Sequence, residues 1–80
     1  MSTRAYILIE TAVGKNREVA TALQGITGTT EVDMVTGPYD IITVIEAEDL
    51  NSIGELVTSH VHTISGVLRT VTCLAIGRTS

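Results

Sequence analysis

Val35-Thr36-Gly37-Pro38-Tyr39-Asp40-Ile41-Ile42 joins two apolar stretches through a tight polar turn. Gly37 reaches backbone angles closed to other residues, and Pro38 fixes φ near the value favoured at the second position of a turn. Asp40 sets a carboxylate beside backbone amides that the turn frees. Residues 32–35 alternate as a strand before this turn, and residues 41–45 run on as a second strand after it. A hairpin therefore occupies the centre of the chain, and its turn is preshaped both to reverse direction and to grip a small ligand.

Working outward, Tyr6-Ile7-Leu8-Ile9 has the β-branched and aromatic content of a strand. Gly14 then opens a segment in which Val19, Ala22, Leu23 and Ile26 recur at helical spacing, and Gly25 and Gly28 close it. Beyond the hairpin, Asp49 fits the N-cap of a second helix carrying Leu50, Ile53, Val57 and Ile64, and residues 67–76 form a last strand. The order is β-α-β-β-α-β. Two short echoes support a repeat: Ile7-Leu8-Ile9-Glu10 with Thr43-Val44-Ile45-Glu46, and Ile26-Thr27-Gly28 with Ile64-Ser65-Gly66. Together they predict an α+β, ferredoxin-like fold, a four-stranded antiparallel sheet covered on one face by two helices, with residues 1–80 as one domain.

The uncovered face of such a sheet is ordinarily polar. Here Ile41 and Ile45 alternate with the equally apolar Ile42 and Val44, Tyr6 and Leu8 with Ile7 and Ile9, and Val71, Cys73 and Ala75 with Leu74 and Ile76. A second apolar face predicts a homodimer packed sheet against sheet, a dimeric α/β barrel. Size points the same way. An 80-residue core is marginal without a supplement, and the single cysteine excludes an internal disulfide. Within its apolar strand, Cys73 is expected to be a buried, inert thiol.

Several function classes fall away. The net charge is −4 and the basic residues Arg4, Lys15, Arg17, Arg69 and Arg78 are dispersed, so no stripe follows a phosphate backbone and no direct nucleic-acid binding is expected. No apolar run reaches the length of a membrane span and no signal peptide precedes the first strand, which predicts a cytoplasmic protein. His60 and His62, two apart, do not share a helical face, and no Cys or carboxylate pattern completes a metal set. They read as polar residues at a fraying helix end. Glu46, Glu48 and Asp49 read as charge favouring a helix N-terminus.

With the hairpin placed between strands two and three, the chain resembles the effector-binding (RAM) domain of the Lrp/AsnC, or feast/famine, regulators. Val35-Thr36-Gly37-Pro38-Tyr39-Asp40 is similar to that family's G-x-Y-D turn. Ile64-Ser65-Gly66-Val67-Leu68-Arg69-Thr70-Val71-Thr72 is similar to its helix exit and Thr-rich last strand, and the agreement runs from about residue 4 to residue 77. The resemblance implies dimers formed through the sheets that associate into rings up to an octamer, a tetramer of dimers. It implies free amino acids bound near the turn, at contacts between dimers, with no cofactor. Full-length relatives carry a helix-turn-helix domain ahead of this module, whereas Met1 here directly precedes the first strand. The expectation is a stand-alone amino-acid-sensing module that modulates assembly, or co-assembles with a full-length regulator.

An α-amino acid needs an acceptor for its ammonium, donors for its carboxylate and a pocket for its side chain. Asp40 suits the ammonium, and backbone N–H groups around Gly37, Tyr39 and Asp40 suit the carboxylate. Pro38, part of the same turn, brings no N–H. The Tyr39 ring either touches ligand or packs into an interface. Thr70 and Thr72, two apart on the last strand, direct both hydroxyls to one face, where they line the pocket or serve only as strand surface. Two other functions fit the same fold. A small cofactor-independent enzyme would need His60 or His62 as general base, and neither has an orienting partner evident in the sequence. An ACT-like regulatory module would want a Gly-rich loop after the first strand, where Thr11-Ala12-Val13-Gly14 offers one glycine.

Overall fold

The computed structural model describes residues 2–77; Arg78 lies outside them. Its elements are β1 (Thr3–Thr11), α1 (Asn16–Gln24), β2 (Thr29–Met34), β3 (Ile41–Ala47), α2 (Leu50–Leu56), a π turn (Val57–Val61) and β4 (Val67–Leu74). The sheet runs β2-β3-β1-β4 with every pairing antiparallel, which is the ferredoxin-like arrangement.

Strand alternation divides the sheet cleanly. Ala5, Ile7 and Ile9 of β1, with Ile41 and Ile45 of β3, are fully buried against the helices. They meet Val19, Ala20 and Leu23 of α1, Ile53 of α2, and Val57 and Val61 of the π turn. Thr43 is the one core strand residue of β3 with a hydroxyl. It avoids the cost of an unpaired buried polar group by donating to the Glu31 carbonyl at 2.7 Å.

The chain between Asp49 and Val67 departs from the expected helix. Asp49 caps as read, its carboxylate accepting from the Ser52 N–H at 2.8 Å. Leu50 is 58% exposed, so the apolar stripe begins at Ile53. After Leu56 the helix widens into the π turn, and the His62 N–H reaches back five residues to the Val57 carbonyl at 2.8 Å. Each four-residue step of an α-helix overshoots a full turn by about 40°, so Ile53, Val57 and Val61 would drift off one face. The wider turn takes back that drift and keeps all three on the core. Ile64 then lies beyond the helix, packed at the edge of the core.

The repeat seen in the sequence is structural. Gly28 (φ +100°) and Gly66 (φ +101°) each follow a helix exit and take a conformation L-residues rarely adopt. The Gly28 carbonyl accepts from the Glu46 N–H and the Gly66 carbonyl from the Ala12 N–H, both at 2.8 Å.

The cap gives a pH prediction. The hydrogen bonds from Ser52 hold the Asp49 carboxyl below the ordinary carboxylate range. A lowered folded value means that the carboxylate stabilises the fold above its unfolded pKa and loses that contribution as pH falls through the folded value. Asn caps helices comparably but does not titrate there. Asp49→Asn is therefore expected to match the native Tm near neutrality and show a shallower Tm decline on acidification; parallel profiles would contradict it.

Candidate functional site

The connection between β2 and β3 is wider than a four-residue β-turn. Val35 N–H donates to the Asp40 carbonyl at 2.9 Å, closing a loop of residues 35–40. Its far end is fastened to β1 as well as closed against the end of β2. Asp40 N–H donates to the Ile9 carbonyl at 2.9 Å, and its Oδ2 accepts from the Thr11 N–H at 2.8 Å and from Thr11 Oγ1 at 3.2 Å. Gly37 adopts φ +154°, and a Cβ placed there would meet nothing within 4 Å, so its backbone faces open space.

This latch sorts the proposed donors. Asp40 N–H, counted in the sequence among the carboxylate-binding amides, is already committed to Ile9. Among the described residues, the amides of Gly37 and Tyr39 and the Oδ1 of Asp40 take part in no hydrogen bond. Pro38 is exposed; Tyr39 and Asp40 are half-buried. Thr11 escaped the sequence reading. The signal was there: it follows Ile7 and Ile9 in parity, a hydroxyl where the strand otherwise buries aliphatic groups.

Thr70 and Thr72 do share a face. They pair with Ile9 and Ile7, placing both on the helix side of the edge strand β4. The loop precedes β3, on the opposite side of β1. Two interstrand spacings, about 9.5 Å, separate the threonine row from β3. One chain thus brings Gly37, Pro38, Tyr39 and Asp40 together, and Thr70 and Thr72 together, but does not join the two groups.

His60 stands exposed in the last helical turn, as expected, but His62 is not at a frayed end. The π turn delivers His62 to β4, where its Nε2 lies 2.7 Å from Thr70 Oγ1. His62 has an orienting partner after all, found eight residues away across a chain reversal that local pattern does not reveal.

On the sheet face away from the helices, Leu8, Ile42 and Val44 form an apolar centre flanked by Tyr6 and Val71. The expected grease is bracketed by charge. Arg4 Nη1 meets Glu46 at 2.8 Å and Nη2 lies 3.9 Å from Glu31, while Arg69 pairs with Glu10 at 3.5 Å. Arg4 Nε also donates to the Tyr6 hydroxyl at 3.2 Å, and its guanidinium sits 5.6 Å from the ring centroid. The Tyr6 hydroxyl, chiefly through that hydrogen bond, outweighs partial desolvation and, with smaller help from Glu46 and Glu31, pushes the Arg4 pKa above its already high ordinary value. Cys73, opposite Tyr6, is exposed and not buried as expected. Its strand is the sheet edge, and among the described residues nothing covers this face of it.

No helix in the described residues is long and apolar enough to cross a membrane. The family model for the Lrp/AsnC ligand binding domain matches residues 4–80. An uncharacterised HTH-type transcriptional regulator of Pyrococcus horikoshii is 33% identical over 78 residues. That match takes in 94% of this chain and 52% of the regulator, so the chain spans about half the length of the curated relative it matches. The crystal structure of TTHA0845 from Thermus thermophilus superposes with a TM-score of 0.92 at 28% identity, covering 98% of each chain. A Neisseria meningitidis transcriptional regulator in complex with L-Met shares the fold at a TM-score of 0.88 and 16% identity, covering 98% of this chain and 52% of the regulator.

Proposed function

This chain belongs to the Lrp/AsnC ligand-binding domain family, and on that premise we propose that it is a regulatory sensor of a free amino acid, working in the cytoplasm as one domain over residues 1–80. The observation that carries the reading is the latched loop: among the described residues the amides of Gly37 and Tyr39 are unengaged, beside a carboxylate whose second oxygen takes no hydrogen bond. The amides hold the ligand carboxylate, and Asp40 Oδ1 accepts from the ammonium. Thr11 and Ile9 keep that oxygen in place before ligand arrives, so little ordering is needed on binding. Pro38 stiffens the loop between the two donors, and the Tyr39 ring closes the site from the side.

The two residue groups lie on opposite sides of β1, so the pocket is completed by a second copy. Homodimers form through the apolar centre of the open sheet face, with the Arg4 and Arg69 ion pairs at its margins setting register. Dimers associate into an octamer with ligand at their contacts, and the same surfaces admit a full-length Lrp/AsnC regulator as partner. Ligand shifts this assembly only through a difference in affinity between its forms. The work is regulatory and not catalytic. The related Neisseria regulator was crystallised with L-Met, which supports amino acids as the ligand class.

The test is a thermal-shift screen of the purified chain against the free amino acids, with light scattering on every hit. A ligand at ten times its Kd stabilises the folded state by about 1.4 kcal/mol, a rise on the order of 5–10 °C for a domain this size. One or a few amino acids are expected to give that rise and to change the oligomer mass or its concentration dependence. A flat response across the panel, or a stable monomer at micromolar concentration, would sink the proposal.

A further inference from the structure

The helices bury one face of β1 and β3 but leave β4, an edge strand, open: Val71, Thr72, Cys73 and Leu74 are all exposed, on alternating faces. Its backbone is open as well. Ala75 N–H donates to the Arg4 carbonyl at 2.9 Å, so the main-chain groups of Ala75, Cys73 and Val71 turn in toward β1. Those of Leu74, Thr72 and Thr70 turn outward, with no strand beyond them among the described residues. A sheet edge of this kind is a template for another strand unless something blunts it. The other edge, β2, is blunted: its register shifts between Thr29 and Glu31, and Glu31 and Asp33 would set carboxylate against carboxylate if two copies paired there. In β4 the register shift falls at the start, beside Leu68, and leaves Arg69 to Leu74 regular. Arg69 is the one charged residue of that strand and is already paired with Glu10.

Resting on the homodimer proposed above, we infer that its two sheets join edge to edge, β4 against the partner's β4, antiparallel about Val71. The strand's own sequence sets the register. Outward from Val71 it reads in near mirror image, Thr70 and Thr72, then Arg69 and Cys73, then Leu68 and Leu74, so a two-fold axis through Val71 sets like against like. Thr70 meets the partner's Thr72 in a hydrogen-bonded pair, each strand supplying the main-chain groups that already point outward. Val71 meets the partner's Val71 on the open face, where it extends the apolar centre of Leu8, Ile42 and Val44. Leu68 and Leu74, 64% and 39% exposed, meet at the two ends of the paired stretch. Centring the axis on either threonine instead sets leucine against threonine and parts the valines. Arg69 lies opposite the partner's Cys73, which keeps the two arginines about 14 Å apart. Two four-stranded sheets joined this way make one eight-stranded sheet, and eight strands curled toward their apolar face close a barrel that side chains can fill. Edge pairing and the packing of sheet on sheet are then one interface.

Cross-linking and mass test the register. Residues directly opposed in a non-hydrogen-bonded pair have Cα atoms about 4.5 Å apart, within the range a disulfide spans, whereas the two Cys73 would lie about 14 Å apart. Val71→Cys in a Cys73→Ser background is therefore expected to give a covalent dimer on mild oxidation, cleaved by reductant, and wild type none. Thr72→Pro removes an outward N–H and leaves the ladder to β1 intact, since proline is tolerated on an edge strand. It should weaken dimerisation about ten- to hundredfold in sedimentation or light scattering, with circular dichroism reporting its fold. A dimeric wild type whose Val71→Cys variant does not cross-link, or whose own Cys73 does, overturns the inference and leaves the homodimer standing. So does a folded Thr72→Pro that dimerises as tightly as wild type, because packing through the sheet face alone makes no use of that N–H. The cross-link reads the register whether or not Thr72→Pro folds. A wild type that stays monomeric overturns the homodimer, and this inference with it.

Discussion

Gly28→Ala will lower stability by about 2–4 kcal/mol, a fall in Tm of roughly 10–25 °C. Two costs combine. A φ of +100° is one that L-residues rarely adopt, and an added Cβ would lie 2.8 Å from the Glu46 carbonyl oxygen, closer than real contacts of that kind. The obstacle is backbone of β3, not the end of a flexible side chain, so relief requires moving the strand. The strand is also tied there, because Glu46 N–H donates to the Gly28 carbonyl at 2.8 Å. For a domain whose total stability is of order 5–10 kcal/mol, such a loss leaves a substantial unfolded population on mild heating. Gly66 makes the same turn at φ +101°, but its added Cβ would meet Lys15 Cβ at 3.0 Å and Val19 Cγ2 at 3.2 Å. Gly66→Ala should therefore destabilise less. Gly37→Ala, with open space around it, should cost least of the three. Urea denaturation of the three variants checks the order, and Gly28→Ala within about 0.5 kcal/mol of wild type would refute it.

These glycines also mark where sequence and structure part. Ile26-Thr27-Gly28 and Ile64-Ser65-Gly66 were legible as a repeat because a helix exit leaves a local trace: the end of an apolar period, then glycine. Asp49 was legible for the same reason, since a cap acts within one turn. The loop itself was found, but not how it is held. Thr11 and Asp40 are 29 residues apart, and their contact depends on β3 lying beside β1 with Ile41 opposite Ile9, a register no short stretch encodes. Cys73 shows a related limit. Alternation places it on the open face, but its exposure follows from β4 being the sheet edge, which is a property of strand order and not of the strand. His62 was obscured by the π turn, because helical spacing at about 3.6 residues per turn aims it away from β4.

Asp40 is where fold and proposed function meet, and two substitutions separate them. Asp40→Ala removes the acceptor of the Thr11 N–H and hydroxyl. Thr11 is 8% exposed, so its amide would be left without a partner away from water, at a cost of about 1–3 kcal/mol. Asp40→Asn keeps a carbonyl oxygen to accept from Thr11, and its stability should stay within about 1 kcal/mol of wild type. What Asn cannot restore is the charge. If Asp40 Oδ1 takes the ligand ammonium, loss of a charge-assisted hydrogen bond worth about 1.5–3 kcal/mol weakens binding roughly ten- to hundredfold. Asp40→Asn is thus expected to be as stable as wild type yet nearly silent to the amino acid that raises the wild-type Tm. Asp40→Ala should be both less stable and silent. The readings are a urea denaturation curve and the ligand-induced Tm shift for each variant. Undiminished binding by Asp40→Asn would remove the ammonium from this site, and equal stability of the two variants would mean that the latch to Thr11 does not hold the loop. The pairing matters because ligand response alone does not distinguish a missing contact from a displaced loop: Asn leaves the loop where Thr11 holds it and changes only what the ligand meets.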